Sequence, residues 1–485
     1  MQDWANLALD TAAARGATYA DVRVIDLRQR ELSTKNGQVG TLVESESLGL
    51  GVRVIANGAW GFAATDRLAK QGIEKCAAEA VAIARASALA KLHDVVLAPE
   101  QAYFDTWQSP FVRDPFRIPV DQQIGLLLEA DAEMRKVAGV TVAETGMVFR
   151  RLEQLFASTI GSRIHQLKMQ SGAGIVASSF AKDELQKRSY PNSFGGQHAL
   201  RGYELVAELD LVGNARRVAE EAVALHKAPQ CPEGVRTVLL DSSQVGLQIH
   251  ESIGHPIELD RVLGMEANFA GTSFLTLDKL NTLRYASDHV TVVADARLEH
   301  GPGLGTFGYD DEGVPAQSTD IIRDGRFTGY LTSRETAASI DETRSNGTMR
   351  AESWNRLPLI RMTNISILPG SWKLDDLIAD TDAGIYMETN RSWSIDDRRY
   401  HFQFGTEIGW EIKGGKKTRM LKNPSYSGIT TEFWNNCDAI CSRDHWTLWG
   451  TPNCGKGQPM QTMGTGHGAS PARFRNVRVG IAFSR

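Results

Sequence analysis

Two histidines five positions apart, with a glutamate directly after the first, constrain the fold of this chain more than any other feature: His250-Glu251-Ser252-Ile253-Gly254-His255. A neutral imidazole is the commonest protein ligand for a metal such as zinc. A glutamate beside a metal-activated water is the usual general base of a metallopeptidase. In the familiar H-E-x-x-H form the histidines lie about 400° apart along a helix and share a face. One more residue makes the separation about 500°, which leaves the side chains roughly 140° apart around the axis. Both reach one metal only if the helix widens locally into a π turn or breaks before His255. Gly254 tolerates unusual backbone angles, and Pro256 pushes His255 away from helical geometry, so a break has its means. Spacing alone also suits two hydrogen-bonded core histidines in a chain that has eleven.

The surrounding residues add to the motif. His250-Glu251-x-x-Gly254-His255-x-x-Glu258-x-Asp260-Arg261 resembles the metal motif of the TldD/PmbA family of metallopeptidases, and specifically its TldD branch, since the PmbA (TldE) branch typically lacks it. The resemblance extends along the chain. Tyr19-Ala20-Asp21-Val22, Gly49-Leu50-Gly51-Val52-Arg53 and Gly61-Phe62-Ala63-Ala64 are similar to the family's N-terminal domain. Tyr309-Asp310-Asp311-Glu312-Gly313-Val314-Pro315-Ala316 and the stretch from Arg350 to Asn364, ending Pro358-x-x-Arg361-Met362-Thr363-Asn364, resemble later landmarks. Glu407 to Lys416 resembles the closing strands, though it is more aromatic and basic than the family pattern.

A catalytic zinc site takes three protein ligands and keeps one position for water. The residues themselves leave the third ligand open among Glu258, Asp260, His401, His445, His467 and the cysteines. The resemblance places it on a cysteine in a Cys-Gly-Lys context near the C-terminus, which here is Cys454-Gly455-Lys456. A thiolate is a strong zinc ligand, but it donates charge and makes the metal a weaker Lewis acid than a third imidazole would. Glu258 and Asp260 then read as partners that fix imidazole orientation, and His467 as a donor to substrate or to the site. Cys437, Cys441 and His445 have a spacing that would align them on one helical face, but Trp434, Trp446 and Trp449 around them read as packing.

At 485 residues the chain suggests two or three domains. Its 42% hydrophobic and 23% charged residues are those of an ordinary soluble protein, and a net charge of -5 gives no reason to expect nucleic acid or an anionic membrane as partner. No apolar run reaches eighteen residues, and Met1-Gln2-Asp3-Trp4 has no basic start or apolar core, so neither a membrane span nor a signal peptide is expected. Five scattered cysteines favour a reducing compartment, so the cytoplasm is the expected location. The Pro229–Gly234 run is the expected boundary between an N-terminal domain, 1–230, and a C-terminal one, 231–485. In the first, alternating strands (20–28, 30–35, 39–45, 48–55 and 58–64, with hairpin turns at Asn36-Gly37 and Asn57-Gly58) precede a helix from Thr65 or Asp66 to Lys91. A second meander over 140–178 precedes a long helix over 203–227. In the second, Val235–Leu240 is a strand, Asp241 or Ser242 caps the helix that bears His250, and a hairpin is expected over Gly325–Gly329.

The resemblance implies an α+β protein, with helices on an antiparallel sheet in the N-terminal domain and a β-rich, barrel-like C-terminal domain carrying the metal site. It implies a zinc-dependent peptidase with one Zn2+ per chain held by His250, His255 and Cys454, and with Glu251 as general base. The expected substrates are small or unfolded peptides, and the expected assembly is a homodimer, or a heterodimer with a PmbA/TldE-like relative. The alternatives are a structural zinc protein, or a non-catalytic peptide-binding partner or regulator in such a complex.

Overall fold

A computed structural model of the chain describes residues 1–268, 271–457 and 459–481. Helix α1 (Gln2–Ala14) leads into β1 (Tyr19–Lys35), β2 (Gln38–Ala56), β3 (Ala59–Thr65) and helix α2 (Lys70–Ser87). There follow β4 (Phe104–Gln108), α3 (Val120–Arg135), β5 (Val142–Ser158), β6 (Arg163–Ala181), β7 (Glu184–Tyr190), β8 (Gln197–Ala199), α4 (Glu204–Glu208) and α5 (Leu211–Ala224). One sheet takes all eight strands in the order β3-β2-β1-β5-β6-β4, with β7 and β8 also on β6.

The hairpin turns form where the sequence places them: Asn36-Gly37 and Asn57-Gly58 both have positive φ (50° and 79°, 52° and 73°), as a two-residue turn between twisted strands requires. The short strands expected between them merge instead into strands of 17 and 19 residues. Polar residues such as Glu44 and Glu46 interrupt the apolar pattern but not the ladder, because β1 pairs along its length with both β2 and β5. Helix α2 is shorter at both ends than the periodicity suggests, and it starts after Ala69 with no side-chain cap. The expected 203–227 helix is divided by Asp210, which takes a left-handed conformation and caps α5 through Gly213 N.

The helices cover one face of the sheet in two clusters. Ala5, Ala8 and Ala12 of α1 and Ile73, Ala77, Ala80 and Ala84 of α2 pack on Val22, Val24, Val52 and Val54. Leu127 and Met134 of α3 and Ala215, Val218 and Ala222 of α5 pack on Met147, Phe149 and Ile175. Small residues let helix and sheet approach closely. A Cβ at Gly61 would lie 2.1 Å from the carbonyl oxygen of Ala80.

The remaining strands build the part that holds the site: β9 (Gly234–Leu240), β10 (Val292–Asp295), β11 (Ser318–Arg323), β12 (Arg326–Phe327), β13 (Met349–Arg350), β14 (Leu359–Ile360), β15 (Asn364–Ile367), β16 (Ala383–Ile395), β17 (His401–Lys413), β18 (Lys417–Leu421), β19 (Pro424–Ile429), β20 (Cys437–Ile440), β21 (Thr447–Lys456), β22 (Gln461–Ala469) and β23 (Ala472–Ile481). Strands β16, β9, β23, β19 and β17 pair in that order, and β17 returns to β16, which closes a barrel. A second sheet runs β12-β11-β10-β15-β22-β21. The hairpin expected over 325–329 turns slightly earlier, at Asp324-Gly325, where both residues have positive φ. The barrel is filled by Val238, Leu240, Met387, Phe402, Phe404, Tyr426 and Phe474, in one core with Ile365 and Ile367 of the second sheet. Full burial of each such side chain stabilises by about 1.5–3 kcal/mol. Helix α6 (Ser242–Ile249), directly after β9, runs through this core and contacts both sheets.

Candidate metal centre

Helix α6 begins where the sequence places its cap: Asp241 accepts hydrogen bonds from Ser243 N and Gln244 N, and also from Thr389 N on β16. Ser243 to Ile249 are all buried, so the polar residues on α6 need partners inside the protein. Gln244 donates to the Tyr426 hydroxyl at 2.8 Å, that hydroxyl donates to Gln248 at 3.0 Å, and Gln248 donates to Ser252 at 3.2 Å. Trp434 Nε1 also donates to Ser252, at 2.9 Å. This ladder fixes the helix against the barrel wall.

Residues His250–Gly254 form a π turn. His255 N donates to the carbonyl of His250, five residues back, at 3.2 Å. The widened turn resolves the five-residue spacing: the two imidazoles come to the same side, with ring centroids 4.8 Å apart and planes at 87°. Gly254 is closely packed against the Met362 side chain, which would have to move to admit a Cβ. A Cβ there would lie 2.1 Å from Met362 Sδ.

Cys454 reaches the histidines from β21, beside an irregularity in its pairing with β22. Its Sγ is 3.7 Å from His255 Nε2. One ligand atom from each of His250, His255 and Cys454 can be chosen so that all lie within 4.8 Å of one another. A tetrahedral site with zinc-type bonds has ligand-to-ligand edges of about 3.3–3.6 Å. The His255–Cys454 edge is close to this, and the group as a whole is wider than a filled site.

Hydrogen bonding sets the imidazole tautomers. The carbonyl of Ile365 only accepts, so its 3.3 Å contact with His467 Nδ1 puts the proton on that nitrogen. His467 Nε2 then accepts from His250 Nδ1 at 2.7 Å, and His250 keeps its lone pair on Nε2. Likewise the Glu258 carboxylate, 3.2 Å from His255 Nδ1, leaves the His255 Nε2 lone pair directed at Cys454. Burial lowers the pKa of both histidines and pushes that of His467 well down, which keeps them in the neutral form a metal needs. Burial pushes the Cys454 thiol up, and positive charge, that of His255 when it is protonated and that of Arg361, pulls the other way to a net downward shift. Burial likewise opposes the Glu258 charge, yet Lys456, then His255 and Arg261, hold it well below the usual carboxylate range.

The other candidates are placed as follows. Asp260 touches neither imidazole; it binds Lys456 Nζ at 2.7 and 2.9 Å, and Lys456 also lies 3.5 Å from Glu258. Glu251 stands beside His250 with its Oε2 accepting from Arg399 Nη1 at 2.8 Å. His401 is an exposed partner of Asp396, and His445 Nε2 accepts from Leu374 N. Cys437 lies in the barrel core and Cys441 in a separate cluster around Tyr386, so they do not converge with His445. Among the described residues, the His250, His255 and Cys454 group is the one cluster of three such side chains close enough to share a metal. Arg361 donates to the Cys454 carbonyl; sequence reasoning missed the place of Arg399 beside Glu251. Arg361 lay within a recognised landmark, but Arg399 sits in the polar turn between β16 and β17, with no local pattern to distinguish it.

Comparison with known proteins bears on this geometry. A family model described as the PmbA/TldA metallopeptidase C-terminal domain matches residues 215–480, more than half of the chain. A second, for PmbA/TldA metallopeptidase domain 1, matches residues 20–84. The chain belongs to the PmbA/TldA metallopeptidase family. Among relatives, a metalloprotease of Methanocaldococcus jannaschii is 29% identical over 93% of this chain and 95% of its own length. A zinc metalloprotease TldD homolog of Saccharolobus solfataricus is 27% identical over 51% of this chain and 52% of its own. The crystal structure of TldE from Thermococcus kodakarensis superposes with a TM-score of 0.73 at 13% identity, covering 97% of this chain and 98% of that one, which shows a shared fold. A metal belongs to the chemistry of a metallopeptidase family, and two neutral imidazoles with a thiolate-leaning cysteine suit one.

Proposed function

We propose that this chain is a zinc-dependent peptidase that hydrolyses small or unfolded peptides. The supporting observation is the meeting of His250, His255 and Cys454, two of them with hydrogen-bonded Nδ1 groups, beside the Glu251 carboxylate. In this reading those three residues hold one zinc, as the name of the Saccharolobus relative suggests for that protein. Bound zinc supplies Lewis acidity toward a peptide carbonyl and a water. Glu251 takes the proton of the attacking water on Oε1, the oxygen not engaged by Arg399, and delivers it to the leaving amine. Glu258 and His467 hold the two imidazoles in the required tautomers, and Asp260 acts through Lys456.

We place the domain boundary near residue 230, before β9. We also propose a cytoplasmic protein that works as a dimer, with itself or with a TldE-like relative. Among the described residues, no helix is long and apolar enough to cross a membrane.

The ion pair between Glu251 and Arg399 favours a second reading, a structural zinc with Glu251 as a salt-bridge partner only. One experiment separates the two. Glu251→Gln should keep the metal and lose hydrolysis of an unstructured peptide by about 100-fold or more. Unchanged hydrolysis would leave the structural reading.

A further inference from the structure

A cavity of about 90 Å³ lies between the N-terminal sheet and strand β22. That is room for a few water molecules or a small anionic group. Three cations line it, Arg150 of β5, Lys168 of β6 and Arg350 of β13, together with the carboxylates of Asp311 and Glu352. Asp311 is already engaged. It accepts from Gln154 Nε2 and from Ala351 N, both at 2.7 Å, and lies 3.6 Å from Arg23.

The three cations outnumber the two carboxylates: Glu352 acts on Arg150, and Asp311 on Lys168 and Arg350, but only through space. Arg350 is 4% exposed and donates only to the carbonyls of Leu304, Met362 and Gly464, and its Nε has no partner. Arg150 Nε is likewise buried without a partner. Among the described residues, Lys168 has no acceptor within hydrogen-bond or ion-pair distance and rests over the Phe307 ring at 5.4 Å. Burial lowers its pKa to about 8 against a smaller opposing pull from Asp311. A buried charge without a partner is costly, so a cavity that retains three cations and unused N–H donors suits an anion. Planar guanidinium groups suit a carboxylate in particular.

The cavity adjoins the metal centre. Met463, which lines it, is the partner of Cys454 across the β21–β22 ladder. Arg350 also binds the carbonyl of Met362, the residue packed on Gly254 in the π turn.

We propose that this cavity is a carboxylate-binding subsite that takes the C-terminal carboxylate of a bound peptide. Identifying that carboxylate as a peptide terminus rests on the peptidase reading above; the binding of a carboxylate does not. Free peptide C-termini and small free carboxylates share this chemistry, and the test distinguishes them.

The full-length protein carrying Glu251→Gln is titrated calorimetrically with tetra-alanine, with its C-terminal amide, and with sodium acetate. The free acid should bind at least tenfold more tightly than the amide, and acetate should compete with it. Lys168→Met and Arg150→Met, each added singly, should reduce the acid's advantage several-fold. A thermal melt checks each variant, and if one fails to fold the other decides. Equal binding of acid and amide, or an acid preference unchanged in the folded variants, would overturn the proposal. Acetate binding without any preference for the peptide acid would mark a small-anion site and overturn the assignment to a peptide terminus. If the acid preference holds while the unmodified protein cleaves no peptide, the subsite stands and the peptidase reading fails.

Discussion

His250 Nδ1 lies 2.7 Å from His467 Nε2, and His467 is itself oriented by the carbonyl of Ile365. The two histidines are 217 positions apart in the chain, and the fold brings β22 back against the π turn. If His250 holds zinc as proposed, the contact makes its metal affinity depend on a side chain outside the His250, His255 and Cys454 group.

His467→Ala is therefore expected to weaken zinc binding by about 10- to 100-fold, the usual cost of removing a partner that orients a metal ligand. The fold should persist. Competition against a chromophoric chelator measures the affinity, and His467→Gln, which retains a polar end, should recover part of the loss. Equal affinities in wild type and His467→Ala would show that the contact does not orient His250.

Arg399 engages one oxygen of Glu251 and leaves the other. We expect Arg399→Ala to let the carboxylate turn away and to lower kcat by about 10- to 100-fold with little change in KM, since positioning is lost and substrate contacts are not. Arg399→Lys keeps the charge but not the forked geometry and should fall between. A rise in KM at constant kcat would make Arg399 a substrate contact instead.

Lys456, fully buried, holds Asp260 and lies close to Glu258. Lys456→Met leaves both carboxylates buried and less well compensated, and is expected to cost about 3–5 kcal/mol of stability. Denaturant unfolding of the metal-free proteins checks it. A change under about 1 kcal/mol would mean that the carboxylates find other partners.

The helix, its cap and the need for an irregularity between His250 and His255 were legible in the sequence because they depend on local spacing: Asp241 caps, and the five-residue interval forces a widened turn. The Asn-Gly turns were legible for the same reason. The joining of Cys454 to His255 was not a spacing signal, and only the resemblance pointed to it. Arg399 and the hydrogen bond from His250 to His467 depend on which strands of a closed barrel and a second sheet face α6, and that is a long-range property with no local trace. Strand lengths were misread because burial alternation fades at Glu44 and Glu46, where pairing on both sides of β1 still holds the ladder.

His198, buried where β8 meets β21, has its pKa lowered to about 4 by burial, with a smaller contribution from Arg150 in the same direction. Unfolded, it titrates near 6.5. Between those values the unfolded chain carries a proton that the folded chain does not, so this residue's effect on stability sets in as the pH falls below about 6.5 and is complete below about 4. The full effect is about 3 kcal/mol. His198→Phe, which keeps a planar ring, should lose less stability than wild type between pH 7 and pH 4.5 in urea titrations. Parallel pH profiles for the two proteins would contradict this.

The most direct test of the account is metal content per chain, measured by mass spectrometry on wild type and Cys454→Ala purified without added metal. The account predicts about one zinc per wild-type chain and a clear loss in the variant. No metal in wild type, even after zinc is offered, would contradict it.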